Sequence, residues 1–393
     1  MISVKQAINI VLNNIISSKE SVQLKVSNAT GYTLFEDVIS PINMPPFRQS
    51  AMDGYAIYIY NKSTYTLVGE VKAGDHHHPK LKKGEAVRIF TGAAVPDSAN
   101  AVIMQEKTNV KNDVLTINSQ VSLNENIRPL GEQILKDQIA LKKGTLLTPA
   151  AIAFLTSLGI TKIGTYKKPS IAIVVTGNEL IEAGQPLLYG QIYESNATMI
   201  NAALKNLNYQ NVTIHKVDDN YGNTLNLLDT VITNHDVVLV SGGISVGDYD
   251  FVGKALKELE VKQLFYKVKQ KPGKPLYFGK KGSKVIFALP GNPAAALSCF
   301  YIYIYSALQI MSGNLSFSLT KTKATSLSNY LKKGDRAQFL KAIYNNGNVT
   351  ILEGQSSSML HTFALANALL YVPENTESIK RDDTVEVILL PIN

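Results

Sequence analysis

The segment VLVSGGISVGDYDFV, residues 238 to 252, runs from a β-branched stretch into three glycines and then two aspartates. Glycine lets the backbone approach an anion closely, and the N–H groups that open a following helix favour phosphate. A tight strand-to-helix turn is the alternative interpretation, but three glycines within six residues exceed what such a turn requires. Neither the Walker pattern nor the dinucleotide G-x-G-x-x-G is present, which weakens an ATP-loop or NAD interpretation. The residues of this turn that we predict to bind a phosphate or cofactor are Gly242, Gly243, Ser245 and Gly247.

Acidic side chains follow several of the predicted strands. A carboxylate beside a phosphate site makes sense when a divalent cation bridges the two, and Mg²⁺ takes one or two carboxylates together with water and phosphate oxygens. For any one acid taken alone, a surface or helix-capping role is the more common explanation. The candidate metal ligands are Glu179, Asp219, Asp248 and Asp250, which all lie just after predicted strands.

Lysines supply the opposite charge. The segment FYKVKQKPGKPLYFGKK, residues 265 to 281, places Lys267, Lys269 and Lys271 on one strand face if the alternation of a strand holds, and then sets Lys274 between two prolines. A solvated basic strand would look the same. The prolines fix the direction of Lys274, which suits the binding of an oxyanion.

A further turn, LPGNPAAA at residues 289 to 296, predicts a helix start. Asn292 is a candidate N-cap, Pro293 suits the first helical position, and Pro290 precedes them. A well-formed cap explains this segment by itself. Its position after a strand nevertheless directs it to the same place as the glycine turn.

The elements that must position these residues alternate between strand and helix. Short buried strands are predicted at residues 170–177, 211–217, 236–243 and 284–291, and helices near residues 195–208, 222–234, 250–260 and 293–310. This rhythm predicts a doubly wound parallel α/β sheet. Ligands of such sheets bind beyond the carboxyl ends of the strands, so the turns TGNE, SGGISVGDYD and LPGNPAA should converge on one crevice.

The flanking segments predict further domains, and the fold class is a multidomain α/β and β protein. Short alternating runs between glycine and proline turns indicate a mainly β inserted domain, and the end of the chain indicates a small C-terminal β domain. The predicted division is a helical and linker domain at 1–40 plus 135–168, the inserted domain at 41–134, the α/β domain at 169–318 and the C-terminal domain at 319–393.

Composition narrows the class of protein. A single cysteine, Cys299, excludes a disulfide framework and fits a reducing cytoplasm. The net charge of +8 comes from scattered lysines, which suits small anionic ligands as well as nucleic acid, and the charge alone does not choose. The start of the chain predicts an amphipathic helix rather than a signal peptide. The apolar run at 294–311 contains serine and glutamine and follows a Pro-Gly-Asn-Pro turn, so we expect a buried helix and no membrane partner.

Eight segments together resemble the molybdopterin molybdenumtransferase family, which includes bacterial MoeA and the gephyrin E domain. The segments are, in chain order, PPFRQSAMDGYAI, RIFTGAAVPDSANAVIMQE, VTGNEL, GQIYESN, SGGISVGDYD, KPGKP, LPGNPAAAL and SSSMLHTFALANALL. The resemblance extends over nearly the whole chain. It implies an enzyme that inserts molybdate into the dithiolene of adenylylated molybdopterin and releases AMP by Mg²⁺-dependent cleavage of the pyrophosphate linkage.

The resemblance also implies roles for individual residues. Catalytic roles fall to Asp53, Thr91, Glu179, Asp250 and Lys271, with Asp53 and Thr91 supplied by the inserted domain of the partner subunit in a homodimer. The glycine turn would hold the pterin or its phosphate, together with Pro290, Asn292 and Pro293. Pyrophosphate and molybdate would face Lys267, Lys271, Lys274, Ser357 and one basic residue of DRAQFLKA, either Arg336 or Lys341. Expected partners are a molybdopterin adenylyltransferase and the molybdoenzymes or their chaperones, with no nucleic acid.

Two positions depart from the family pattern, and other functions stay open. Gln133 stands where family members usually carry aspartate, and the serine run 356–358 replaces a Gly-Ser-His-like pattern. The α/β domain alone resembles molybdopterin adenylyltransferases and competence-damage-type proteins, and a non-catalytic scaffold is a third possibility. The run His76 to His78 resembles a metal cluster, but consecutive residues cannot all face one ion, so we expect an exposed loop.

Overall fold

A computed structural model describes residues 1–244 and 251–391, and its centre is a six-stranded mixed sheet. Four neighbouring strands are parallel, and two further strands are added at one side through antiparallel pairings. The strands lie in the order Val212–Val217, Ile171–Thr176, Val237–Ser241, Lys284–Leu289, Tyr277–Lys281 and Lys262–Tyr266. The predicted parallel α/β sheet is therefore confirmed, and the antiparallel pair extends it.

Helices cover both faces of this sheet. Alternate residues of the strand Ile171–Thr176 enter two separate apolar cores, with Ile173 in one and Val174 in the other. Because both faces are buried, every residue of this strand is buried, as expected for an interior parallel strand. The helices are Asn196–Asn206, Tyr221–Asn234, Phe251–Glu258 and a long helix formed by Pro293–Cys299, a π-helical stretch at Phe300–Ile304 and Tyr305–Met311.

The long apolar helix is a core element of the α/β domain, as predicted. Within Pro293–Met311, 72% of the most apolar window is buried inside the protein. The first helix, Val4–Asn14, begins with a capping box of Ser3 and Gln6 and packs its buried residues into the same core. The sequence grouped residues 1–40 with the linker region. The packing of this helix instead attaches the start of the chain to the α/β domain.

The linker region has a small core of its own. The strands Ser21–Lys25 and Lys162–Tyr166 pair antiparallel beside the helix Pro149–Ser157, whose N-cap is Thr148. Between the two parts of this region lies the predicted β insertion, a six-stranded sheet with a core on each face. Its strands lie in the order Ala101–Met104, Gly54–Ile57, Glu85–Ile89, Thr64–Val71, Val114–Ile117 and Thr108–Lys111.

The short pairs that complete this part of the chain are Val38–Ile39 with Ile139–Leu141 and Gln49–Ser50 with Ile127–Arg128. Gly54, in the segment AMDGYA, is required by packing, because a Cβ at this position would lie 1.9 Å from the carbonyl oxygen of Ile103. His76 to His78 lie in an exposed loop, as expected.

The C-terminal region is a β-barrel. Each of five strands pairs with two others in the set, so the sheet closes on itself around a small apolar core. The strands are Lys321–Ser326, Asn348–Ile351, Ala337–Asn345, Ala368–Val372 and Thr384–Leu389. The short strand Gln270–Lys271, which is not one of these five strands, pairs in parallel with Ala337–Asn345. The helix Leu360–Leu365 packs between the barrel and the α/β domain. Tyr330–Leu331 pairs with Ser378–Ile379.

Candidate functional site

A cavity of about 840 Å³ opens beyond the carboxyl ends of the parallel strands, where the α/β domain meets the barrel. The three turns that the sequence directs to one crevice all contribute to its wall. Residues from the turns are Thr176, Gly177, Glu179, Ser241, Gly242, Gly243, Pro290, Gly291, Asn292 and Pro293, and the barrel adds Arg336, Ser357 and Ser358. The predicted convergence is confirmed.

The start of the glycine turn needs glycine for its geometry. Gly242 and Gly243 have φ angles of 93° and 64°, in the left-handed region that side chains disfavour. A Cβ on Gly242 would also lie 2.7 Å from the carbonyl oxygen of Thr176. The turn therefore brings its backbone close to the neighbouring strand end. Ser245, Gly247, Asp248 and Asp250 lie outside the described residues.

Two buried polar atoms at the cavity find no hydrogen-bond partner within residues 1–244 and 251–391. They are the hydroxyl oxygen of Thr176 and the side-chain oxygen of Asn196. Both nitrogen protons of the Asn196 amide are used, one by the hydroxyl of Ser241 at 2.8 Å and one by the carbonyl of Gly291 at 2.7 Å. An unpaired buried polar atom costs free energy, so a wall with two of them is suited to a ligand that carries hydrogen-bonding groups.

Three carboxylates line the same cavity: the predicted metal ligands Glu179 and Asp219, and Glu194, which accepts from the backbone N–H of Ala197 at 2.8 Å. Asp219 and Asn178 form a reciprocal pair of hydrogen bonds. The backbone N–H of Asn178 donates to the carboxylate of Asp219 at 3.2 Å, and the backbone N–H of Asp219 donates to the side-chain oxygen of Asn178 at 3.0 Å. Gly177, with φ 140°, leaves room for the carboxylate of Glu179, whose oxygen would lie 2.7 Å from a Cβ there. Neither Glu179 nor Asp219 forms an ion pair with any residue that the structure describes.

These acids provide a donor set that fits Mg²⁺. The ion accepts one or two carboxylates and completes its coordination with water and phosphate oxygens. A full cage of three or more His, Cys, Asp or Glu side chains is absent from the described part of the chain. Glu179 and Asp219 thus match an ion that is bound partly by its substrate, and the predicted third ligand, Asp250, lies outside the residues described.

The basic residues divide into those in the cavity and those outside it. Lys271 and Lys274 line the cavity, and Lys267 and Lys269 do not. The predicted alternation from Lys267 to Lys271 is wrong, because the strand ends at Tyr266 and Lys267 adopts a left-handed φ of 69°. Lys267 places its ammonium over the ring of Tyr266, and Lys269 pairs with two acids of the barrel region, Asp335 and Glu374.

The barrel contributes one guanidinium and two hydroxyls. Of the two basic candidates in DRAQFLKA, Arg336 lines the cavity and donates to the carbonyl of Gln270 at 3.2 Å, whereas Lys341 is buried behind the wall. Asn292 occupies the N-cap position as predicted, but its side chain does not cap the helix. It donates to the hydroxyl of Ser357 at 2.9 Å and so joins the α/β domain to the barrel.

Asp53 and Thr91 form a separate pair in the inserted domain, outside the cavity wall. The backbone N–H and the hydroxyl of Thr91 both donate to the same carboxylate oxygen of Asp53, each at 2.7 Å. These two bonds, the backbone one first, hold the pKa of Asp53 below its ordinary value. The pair is exposed, and the shared site predicted for it requires a second subunit.

Several residues of the wall have no role in the sequence-based prediction. Thr176 lies in the segment VTGNEL, and Asn196 ends the segment GQIYESN. Tyr193, from the same segment, and Ser358 also line the cavity. Position within these segments was the available signal, but the hydrogen-bonding state of Thr176 and Asn196 follows only from the packing around them.

Comparisons with known proteins cover nearly the whole chain. The family described as MoeA N-terminal region (domain I and II) matches residues 2–159, the family described as Probable molybdopterin binding domain matches residues 172–309, and MoeA C-terminal region (domain IV) matches residues 323–390. Together these matches include all the regions that contribute to the cavity.

Individual relatives agree with the family matches. The molybdopterin molybdenumtransferase of Staphylococcus epidermidis is 31% identical over 405 residues, covering 100% of this chain and 96% of the relative. The enzyme of the same name from Haemophilus influenzae is 31% identical over 397 residues, covering 98% of each chain. The solved molybdopterin biosynthesis moeA protein from Pyrococcus horikoshii OT3 superposes with a TM-score of 0.86 at 28% identity, covering 99% of this chain and 100% of that one.

Proposed function

The chain belongs to the MoeA family of molybdopterin molybdenumtransferases, and from this premise we propose that it inserts molybdenum into molybdopterin during synthesis of the molybdenum cofactor. The observation that carries the proposal is a single cavity with carboxylates at the strand ends and cationic side chains at the barrel side. Molybdate is a doubly charged oxyanion and a pterin phosphate is also anionic. A cavity with separated acidic and basic walls can bind both anions and a divalent cation.

We propose further that the substrate is adenylylated molybdopterin and that AMP is released. In this reaction the P–O–P bond breaks and the oxygen of a water molecule ends on phosphorus. Glu179 and Asp219, with Asp250, would hold Mg²⁺, which when bound supplies positive charge to the pyrophosphate oxygens. Asn178 orients the carboxylate of Asp219 through the reciprocal pair described above.

The oxyanion groups are assigned to the opposite wall. Lys271, Lys274 and Arg336 supply charge-assisted hydrogen bonds, and Ser357 supplies a hydroxyl that Asn292 already orients. Donors fixed before the ligand arrives cost little reorganisation when charge develops. Backbone N–H groups of the glycine turn, with the unpaired atoms of Thr176 and Asn196, suit the polar edge of the pterin or its phosphate.

The proposed active unit is a homodimer in the cytoplasm. Asp53 lies at an exposed edge, where two hydrogen bonds from Thr91 orient its carboxylate and favour its ionised form, which suits a role in the cavity of the partner subunit. Transient contacts with a molybdopterin adenylyltransferase and with recipient molybdoenzymes or their chaperones belong to the same proposal. A free-standing adenylyltransferase is disfavoured by the family matches on both sides of the central domain.

The test is an assay of AMP release. Purified protein is incubated with adenylylated molybdopterin, molybdate and MgCl₂, and AMP is quantified by chromatography. We expect release that depends on both molybdate and Mg²⁺ and that is lost with Asp219→Asn. Protein that is folded and dimeric but releases no AMP under any of these conditions would support the scaffold alternative instead.

A further inference from the structure

Lys341 is a buried cation directly behind the cavity wall. It lies in the barrel strand Ala337–Asn345 and is 3% exposed. Its ammonium donates to three backbone carbonyls, those of Gly354 at 2.7 Å, Ser356 at 3.1 Å and Met359 at 3.0 Å. No acidic side chain of the described residues pairs with it. Carbonyl dipoles alone therefore compensate the charge, and burial holds the pKa of Lys341 below its ordinary value.

All three carbonyls belong to one short segment, residues 354–359, which we call the serine segment. It contains Ser357 and Ser358, which line the cavity. A second tether comes from Gln355, whose side chain accepts from the backbone N–H of Lys341 and donates to its carbonyl, both at 2.9 Å. One strand residue thus fixes the serine segment through its side chain and its backbone.

This arrangement determines which polar groups of the serine segment remain for a ligand. Three carbonyl oxygens are engaged by Lys341, and the carbonyl of Ser357 accepts from the N–H of Ala295 at 3.3 Å. The N–H groups of Ser357 and Ser358 have no acceptor among residues 1–244 and 251–391. Oxygen acceptors repel an anion and N–H donors attract it, so engaged carbonyls and free donors favour an oxyanion at this wall.

We propose that Lys341 is a positioning residue for the oxyanion site. It holds the serine segment with its donors toward the cavity and its carbonyls away from it, and its charge adds to the positive potential of this wall. This inference rests on the proposed function, because it names a residue that acts on the binding of molybdate through Ser357 and Ser358. A purely structural clamp of the barrel is the competing interpretation.

The two interpretations predict different kinetic patterns. A positioning role affects the oxyanion and leaves the pterin substrate, held mainly at the strand ends, nearly unaffected. A general loosening of the barrel lowers thermal stability and affects both substrates alike. The matched control is Lys332, another lysine of the barrel region, whose ammonium donates to the backbone carbonyls of Pro373 and Glu374 away from the cavity.

The experiment compares the wild type with K341M, K341R and K332M. Molybdate binding is measured by calorimetry with sodium molybdate, AMP release is measured against molybdate and against the pterin substrate, and unfolding is followed by circular dichroism. For K341M we expect the half-saturating molybdate concentration to rise about tenfold or more, with the value for the pterin substrate within about twofold. K341R should recover most of the molybdate binding, since it keeps a charged donor, and K332M should match the wild type.

The inference is overturned if folded K341M binds molybdate as the wild type does, or if both half-saturation values rise together without rescue by arginine. If K341M does not fold, Q355A decides, because it removes the second tether without changing charge. A rise in half-saturating molybdate in Q355A supports the proposal, and an unchanged value overturns it. A wild type that neither binds molybdate nor releases AMP instead contradicts the proposed function, and the inference fails with it.

Discussion

The cavity and the Asp53–Thr91 edge are built in different ways. Around the cavity, residues from distant parts of the chain converge, and two buried polar atoms stay without a partner within the described ranges. At the edge, the acid is exposed and one of its oxygens is fully satisfied by its neighbour Thr91. The cavity therefore has the properties of a binding site within one chain. The edge has the properties of a prepared contribution to a site that another surface must complete.

Removal of a carboxylate from the cavity should have the largest effect of any single change. Glu179→Gln and Asp219→Asn keep the size of each side chain but remove a charge needed when negative charge develops at phosphorus. We expect kcat for AMP release to fall on the order of a hundredfold or more, with substrate affinity changing much less. In Asn178→Ala, which removes only the side-chain partner of Asp219, kcat for AMP release should fall less. Full turnover of both acid variants at saturating Mg²⁺ would remove the metal assignment.

The comparison between cavity and edge can be tested by mixing two inactive variants. Asp53→Ala damages the edge and Asp219→Ala damages the cavity, so a mixed dimer contains one site with both defects and one intact site. Random exchange at equal amounts should restore about a quarter of wild-type activity. Native mass spectrometry reports the heterodimers. If heterodimers form and the mixture stays inactive, edge and cavity do not share a site.

Loss of a cavity lysine should have an intermediate effect. Lys271→Ala and Lys274→Ala each remove a charge-assisted hydrogen bond worth about 1.5–3 kcal/mol, which corresponds to about a tenfold to hundredfold rise in half-saturating molybdate. The Mg²⁺ dependence should hardly move, because the acids lie on the other wall. Lys267→Ala, outside the cavity, is the control. A shifted Mg²⁺ curve with unchanged molybdate dependence would show that the two walls do not divide the ligands.

The smallest expected effect concerns the edge by itself. Thr91→Val removes the hydroxyl donor but keeps the backbone N–H, so the pKa of Asp53 should rise part of the way to its ordinary value. The lowered pKa means that the stabilisation from this pair is complete above the ordinary carboxyl pKa and is lost as the pH falls through the lowered value. NMR titration of the Asp53 carboxyl measures the shift. An unchanged pKa would mean that the backbone bond alone sets it.

Much of the fold could be predicted from local sequence patterns. Runs rich in β-branched residues and free of charge, such as 171–176, predict buried parallel strands because both faces of such strands are covered. Glycine and proline turns after those strands located the cavity. The left-handed backbone at Lys267 was not predictable, because a lysine at positive φ has no sequence signature and is imposed by the surrounding packing.

Long-range side-chain bonds were equally hidden. Asn292 has the residue type and position of an N-cap, yet its side-chain amide donates a hydrogen bond to the hydroxyl of Ser357, 65 residues away. Lys341 and Arg336 are five residues apart in one segment and were equivalent candidates, but closure of the barrel buries the first and exposes the second to the cavity. Which of two nearby cations faces a ligand depends on tertiary structure, and composition and alternation do not contain that information.

The two-residue strand Gln270–Lys271 lies immediately before the Pro-Gly turn. It leaves the α/β domain and pairs with Ala337 and Gln338 of the barrel. Lys271 is therefore attached to the barrel, although the strands Lys262–Tyr266 and Tyr277–Lys281 on either side of it in the sequence belong to the central sheet. Lys271, Arg336 and the serine segment are thus anchored to the barrel, whereas Glu179 and Asp219 follow strands of the central sheet. The acidic and the basic groups of the cavity therefore belong to two different units of the fold, so the packing of the barrel against the sheet sets the spacing between them.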